Sequence, residues 1–183
     1  RRFLGGLLRG IQYDGICQPS LPCTILKMLS PESTTFEYAK YDQMNSLRYE
    51  PLRQYHNDAL TSVWCDEDVI RYTSIGTPCT RKEVETKCSL LQDHDVFAIF
   101  RGNDFLGIVG CLRMDCKKKL FGLFYQLRKS AWGQGNGTEA VGWLLNFSRK
   151  KCSRFILLAG VIVHNSAGQK IRKHYRFRLI SEE

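Results

Sequence analysis

The stretch that most narrows what this chain can fold into is Tyr125 to Ala140, where a strand-like run passes through a glycine-rich turn into a helix start. Gly133, Gly135 and Gly137 stand within five positions. Glycine reaches positive φ at no steric cost and lets a ligand approach the backbone with no Cβ in the way. A helix start adds N–H groups that have no intrahelical acceptor, together with a partial positive charge. Strand, turn and helix start therefore make a cradle for a pyrophosphate. The segment is not a P-loop, since no Gly-Lys-Ser/Thr follows, and the Gly-x-Gly-x-x-Gly dinucleotide fingerprint is absent. A plain strand–helix connection is the alternative, and it needs one glycine rather than three.

The surroundings alternate between strands and helices. Leu47 to Leu52 predicts a short strand ending at Pro51. Asn57 or Asp58 is expected to cap a helix with Leu60, Val63 and Trp64 on one face. Thr80-Arg81-Lys82-Glu83 is a capping box ahead of Val84, Cys88 and Leu91 at helical spacing. Val96–Phe100, a Gly102-Asn103-Asp104 turn and Phe105–Met114 predict a hairpin, with Lys119–Leu127 as a third antiparallel strand. A helix over 138–151, a continuous apolar strand from Phe155 to Val163, a helix over 166–175 and a strand from Phe177 to Ile180 complete the pattern. This order predicts a mixed, mostly antiparallel α/β sheet with helices on both faces.

Residues 1–43 read differently. Pro19, Pro22 and Pro31 break any period, and Thr34-Thr35-Phe36-Glu37-Tyr38 is the one strand-like run. The segment is set apart as a poorly defined extension, with the compact domain spanning 44–183 from Met44. Charge is uneven as well. Residues 112–183 carry fifteen basic side chains against four acidic ones, in a chain of net charge +9. Such a half attracts polyanions: nucleic acid, an anionic membrane surface or a phosphate-rich small ligand. A solvated basic face is the plain alternative.

Other classes fall away. The chain has no apolar run near the ~18–20 residues of a membrane span, and Arg9 ends the apolar run Phe3–Leu8 short of a ~7–15-residue signal core. Eight cysteines at irregular spacing show no Cys-x-x-Cys, and His56, His94, His164 and His174 form no pair at ligand spacing. Reduced thiols, no metal and a cytoplasmic setting are expected.

Trp132-Gly133-Gln134-Gly135-Asn136-Gly137-Thr138-Glu139-Ala140 resembles the acyl-CoA motif of the GNAT superfamily of N-acetyltransferases. It is closest to the ribosomal-protein alanine N-acetyltransferase branch, with its W-G-x-G-x-x-T-E-A signature. Upstream, Leu52-Arg53 and Trp64 to Tyr72 are similar to that branch's L-R…W…D-x-x-V-x-x-Y opening. Downstream, Asn165-Ser166-Ala167-Gly168 with Ile171 and Phe177 is similar to its N-x-A-S…V…G-F ending. The likeness covers about Leu47 to Phe177.

The resemblance implies transfer of acetyl from acetyl-CoA to a primary amine, a protein N-terminal α-amine among the candidates. Small molecules or peptides would be acceptors, with no nucleic acid or membrane required. Tyr125, Gln126 and Leu127 would pair with the pantetheine arm. The N–H groups of Trp132, Gly133, Gln134, Gly135, Asn136, Gly137 and Thr138 would hold the pyrophosphate. Asn165 would bond the pantetheine chain across a gap between two splayed strands. A backbone N–H near Leu127 would stabilise the oxyanion. His164 and Tyr175 are the candidate catalytic base and acid; a strand-end histidine and a packed tyrosine are their plain alternatives.

Three departures stand against the family pattern. Arg176 replaces the glycine before Phe177, and Gly168 replaces a serine. After Phe177 too few residues remain for the closing strand that the family inserts beside Phe155–Val163, so the sheet is expected to lack its last strand. Thr34–Tyr38 is a candidate substitute; otherwise residues 1–43 are expected to be dispensable for cofactor binding. A catalytically impaired acyl-CoA-binding module is the alternative function.

Overall fold

The computed structural model describes residues 23–29, 47–71, 73, 75–162 and 164–182. Its strands are β1 (Cys23–Leu29), β2 (Arg48–Pro51), β3 (Asp95–Arg101), β4 (Asp104–Asp115), β5 (Leu120–Leu127), β6 (Ile156–Ile162) and β7 (Arg178–Glu182). The α-helices among these residues are α1 (Asn57–Trp64), α2 (Glu67–Ile70), α3 (Arg81–Leu91), α4 (Asn136–Lys151) and α5 (Ser166–His174). All seven strands join one sheet in the order β2-β3-β4-β5-β6-β1-β7. The β5–β6 pairing is parallel and the others are antiparallel.

Local chemistry sets most element ends. The β3–β4 hairpin turns at Gly102, whose φ is +59°. Thr80 caps α3, and the Glu83 carboxylate reaches back to the Thr80 N–H at 2.7 Å, closing the capping box. The start of α1 corrects the expectation. Neither Asn57 nor Asp58 caps it, because a 3-10 turn over Gln54–His56 leads straight in and puts His56 at the N-cap. The His56 Nδ1 accepts the Arg53 N–H at 3.1 Å and fixes that entry.

Helices cover both faces of the sheet. On one, α4 lays Ala140, Val141, Leu144 and Leu145 against Val109, Leu123, Leu127 and Leu157. On the other, α1 and α3 lay Leu60, Val63, Trp64, Val84, Cys88 and Leu91 against Val96, Ala98 and Ile108. Each fully buried leucine contributes about 1.5–3 kcal/mol relative to exposure. The period-2 strands and period-3.6 helices supply these faces directly.

Two features depart from a regular sheet. β5 and β6 pair only at Leu120↔Ile156, Phe121↔Leu157 and Gly122↔Leu158. Beyond Gly122 and Leu158 the two strands part, leaving a gap. On its other edge β6 pairs with β1 along all seven residues, from Cys23↔Ile162 to Leu29↔Ile156, and β1 in turn pairs with β7. β1 thus occupies the place beside β6 where the sheet was expected to lack a strand. Thr34–Tyr38, the candidate for that place, lies outside the described residues, as does Tyr72.

The end of α5 explains one departure from the family pattern. The Arg176 N–H donates to the Lys173 carbonyl at 3.2 Å, and the Phe177 N–H to the Arg172 carbonyl at 3.1 Å. This is a Schellman closure, which asks for a left-handed residue, and Arg176 takes it with φ of +55°. Phe177 and Ile171 then meet in the core beneath.

Candidate functional site

The gap between β5 and β6 organises the site. The Arg128 N–H donates to the Leu106 carbonyl at 2.9 Å, on the β4 side. Antiparallel alternation therefore turns the backbone groups of Tyr125 and Leu127 away from β4 and into the gap. Trp132 Nε1 donates to the Leu127 carbonyl at 2.8 Å, so Leu127 offers its N–H and Tyr125 both groups. Gln126 faces the other way, and its Oε1 accepts from Trp64 Nε1 at 2.6 Å. On the facing wall the Ile156 N–H points at β5, bonding the Lys119 carbonyl at 2.9 Å. By the same alternation Gly160 and Ile162 face the gap, and Ala159 and Val161 face β1.

At the end of β5 the glycine-rich loop is held by side chains before any ligand arrives. Gln134 Nε2 donates to the Ser130 carbonyl at 2.9 Å, and its Oε1 accepts from Arg101 at 3.0 Å. The Asn136 side chain is 1% exposed; it donates to the Ala131 carbonyl at 2.9 Å and accepts from Arg101 at 2.6 Å. Gly133 and Gly135 adopt φ of +73° and +80°, and an added Cβ would meet no atom within 4 Å at either. Their backbone lies open, as the cradle requires. Gly137 is different. It is helical, and a Cβ there would sit 3.1 Å from both the Tyr125 ring and Ile171. Its smallness serves packing.

The Trp132 N–H is taken by the Lys129 carbonyl, at 3.1 Å. From Gly133 to Thr138 the N–H groups meet no backbone carbonyl among the described residues, and helical bonding resumes with Glu139 on Gly135. These six donors stand in the turn before, and in the first three positions of, a 16-residue helix, at its positive end. Glu139, the acid of its first turn, accepts the Leu47 N–H at 3.2 Å, tying the helix to the β2 approach.

The remaining candidates sit beside the gap. His164 is exposed just past β6. Asn165 caps α5, its Oδ1 accepting the Gly168 N–H at 2.8 Å. A Cβ at Gly168 would lie 2.9 Å from Val161, so glycine lets α5 close on β6 where the family carries serine. Tyr175 is buried, and its hydroxyl donates to the Thr138 carbonyl at 2.7 Å, at the start of α4. Burial pushes the Tyr125 phenol up to about 12. The Cys111 thiol, also pushed up to about 12 by burial, is a core group.

Near the loop the basic surplus is partly paired. Lys129 bridges to Asp68, holding that carboxyl below its usual range, and Arg128 bridges to Asp104. Both acids lie within residues 44–111, which carry ten acidic side chains against seven basic ones. On α5, Lys170 and Lys173 are exposed. Among the described residues no cluster of three His, Cys, Asp or Glu is placed to hold a metal, and no helix is long and apolar enough to cross a membrane. Arg101 and Trp64 are contributors that the sequence reading missed. Arg101 acts across 33 and 35 positions of chain, and no local pattern marks such a bond.

Residues 46–178 match the family model described as acetyltransferase (GNAT) domain. No curated protein matches the sequence. Among solved structures, spermidine N-acetyltransferase from Vibrio cholerae, in complex with CoA and spermine, superposes with a TM-score of 0.63 at 12% identity, covering 70% of this chain and 79% of that one. yncA from Salmonella typhimurium, solved with its cofactor acetyl-CoA, gives 0.62 at 13%, covering 75% and 82%. The Salmonella typhimurium acetyl transferase that modifies the N-terminal serine of ribosomal protein L7/L12 gives 0.59 at 17%, covering 80% and 83%. At these identities the likeness is one of fold.

Proposed function

The chain belongs to the GNAT acetyltransferase family, and from that premise we propose that it moves the acetyl group of acetyl-CoA onto a primary amine, with a protein N-terminal α-amine as the favoured acceptor. The observation that carries this reading is the pairing of an open β5–β6 gap with six unbonded N–H groups at its end. Acetyl-CoA supplies an activated acyl carbon that a neutral amine attacks directly, with no covalent enzyme intermediate. The N–H groups of Gly133 to Thr138 bind the pyrophosphate, and the α4 dipole favours its charge. The gap-facing backbone of Tyr125 binds the pantetheine arm as an added strand would, and Asn165 holds it from the β6 side. The Leu127 N–H stabilises the oxyanion; its carbonyl, tied to Trp132, fixes its direction.

As the C–N bond forms, His164 takes the proton of the attacking amine at the mouth of the gap, and the C–S bond breaks to release CoA as its thiolate, which solvent protonates. Tyr175 is assigned a positioning role, because its proton is already given to Thr138. The preference for an α-amine comes from acid–base arithmetic. At pH 7 an α-amine of pKa ~7.7–8.0 is roughly 10–15% neutral, while a lysine at ~10.4 is under about 0.1%. A single exposed histidine manages the first far more easily.

Calorimetric titration with acetyl-CoA tests the binding half. CoA thiol release, assayed with peptides of free N-terminus, lysine and polyamines, tests the transfer half. Release with the peptides that drops at least tenfold in His164→Gln, at unchanged KM for acetyl-CoA, is the expected result. Release with no amine in the panel, despite tight binding, overturns transfer; no binding at all overturns the whole reading.

A further inference from the structure

We infer that β1, a strand from the N-terminal segment, is the positioning element of the gap: among the described strands it alone supplies a backbone ladder to the half of β6 that forms the gap's far wall. The argument is one of partners. Past Leu158, β6 has no strand on its β5 side among the described residues, because the gap begins there. Ala159, Gly160, Val161 and Ile162 pair only with Leu26, Ile25, Thr24 and Cys23. The alternation set by Ile156 turns the Ala159 and Val161 backbone groups onto β1, while Gly160 and Ile162 look into the gap. Without β1 this half-strand would have no ladder on either side, and β7, which pairs with β1 alone, would lose its attachment. Met28 also adds its side chain to the core beneath α4. Asn165 and α5 follow directly from the end of β6, so the wall and everything mounted on it depend on a strand from outside the matched family region, 46–178.

The consequence for binding rests on the acetyl-CoA reading above, so the test has one arm that does not. In the full chain, Leu26→Pro removes the N–H aimed at Ala159 and leaves the α4 loop untouched. Its Kd for acetyl-CoA should rise at least tenfold, with amide protection of the β3–β4 hairpin retained; Leu26→Val should bind as wild type does. The second arm is native-state hydrogen exchange on the wild-type chain without ligand. The Ala159 and Val161 amides should exchange with the same opening free energy as the amides of Cys23–Leu29, since one unit opens. Leu26→Pro binding within twofold of wild type overturns the inference. So does strong protection of Ala159 and Val161 while Cys23–Leu29 exchange freely. Should the wild-type chain not bind acetyl-CoA, the functional reading fails, and the exchange arm still decides the role of β1.

Discussion

Gly135 is the position where cofactor binding and folding can be separated most cleanly. Its φ of +80° is left-handed, it stands at the N-cap of α4, and its carbonyl accepts the Glu139 N–H at 3.0 Å. No atom lies within 4 Å of a Cβ built there. In the free protein a side chain therefore meets only backbone strain, about 1–2 kcal/mol for an ordinary L-residue and less for asparagine. At about 2–4 °C per kcal/mol for a chain of this size, Gly135→Val should lower Tm by roughly 2–8 °C and still fold. Binding should suffer much more. On the proposed reading, the added side chain takes up space meant for the pyrophosphate. Loss of two charge-assisted hydrogen bonds at about 1.5–3 kcal/mol each removes about 3–6 kcal/mol, or two to four orders of magnitude in Kd. Gly135→Asn keeps φ and adds the side chain, so it should hold Tm near wild type and still lose most of the affinity. Lys150→Ala, on the exposed end of α4, should weaken binding slightly and only at low salt. Calorimetric titration beside thermal melts reads all of these. A folded Gly135→Val that binds acetyl-CoA as wild type does would refute the cradle.

Four further outcomes are expected. Arg176→Gly should raise stability by about 0.5–1 kcal/mol, since the left-handed cost of arginine exceeds the extra unfolded-state entropy of glycine; a lower Tm would contradict the Schellman assignment. Asn136→Ala should lower stability by about 1–3 kcal/mol by stranding the Ala131 carbonyl and one Arg101 N–H, and should loosen the loop enough to weaken acetyl-CoA binding; unchanged Tm and Kd would show the amide to be idle. Burial lowers the imidazole pKa of His56 and His94, and each Nδ1 accepts a backbone N–H. Protons then bind the unfolded chain first, so stability is full above ~6.5 and declines as pH falls toward 5; a His56→Gln/His94→Gln variant should flatten that slope in urea melts at pH 7 and pH 5, and an unchanged slope counts against it. Cys65, Cys79, Cys88, Cys111, Cys116 and Cys152 are free thiols, so mild reductant should leave Tm unmoved, and a large drop would point to a disulfide framework.

How much of this was written in the residue order divides along the range of the forces. The β3–β4 hairpin, the Thr80 box and the α4 face are short-range matters of turn chemistry, capping and period, and they stand where the sequence puts them. The open backbone at Gly133 and Gly135 was legible for the same reason, because glycine reports φ locally, whereas the smallness of Gly137 is asked for by packing against Tyr125 and Ile171. Arg176 was marked as a departure by the resemblance to the family, which has glycine there, and it carries the positive φ that glycine would otherwise take. What tertiary structure decided is which partners meet across long stretches of chain. Arg101 reaches the loop from β3, Trp64 fixes Gln126 from α1, and Tyr175 spends its hydroxyl on Thr138. The strand beside β6 is the sharpest case. Cys23–Leu29 shows no strict alternation in its residue order, and its strand pairing, on both edges, comes from partners far along the chain. Hydrogen bonds of a β-ladder are the same for any sequence able to extend. Which segment takes an empty edge is therefore settled by where the folded chain delivers it.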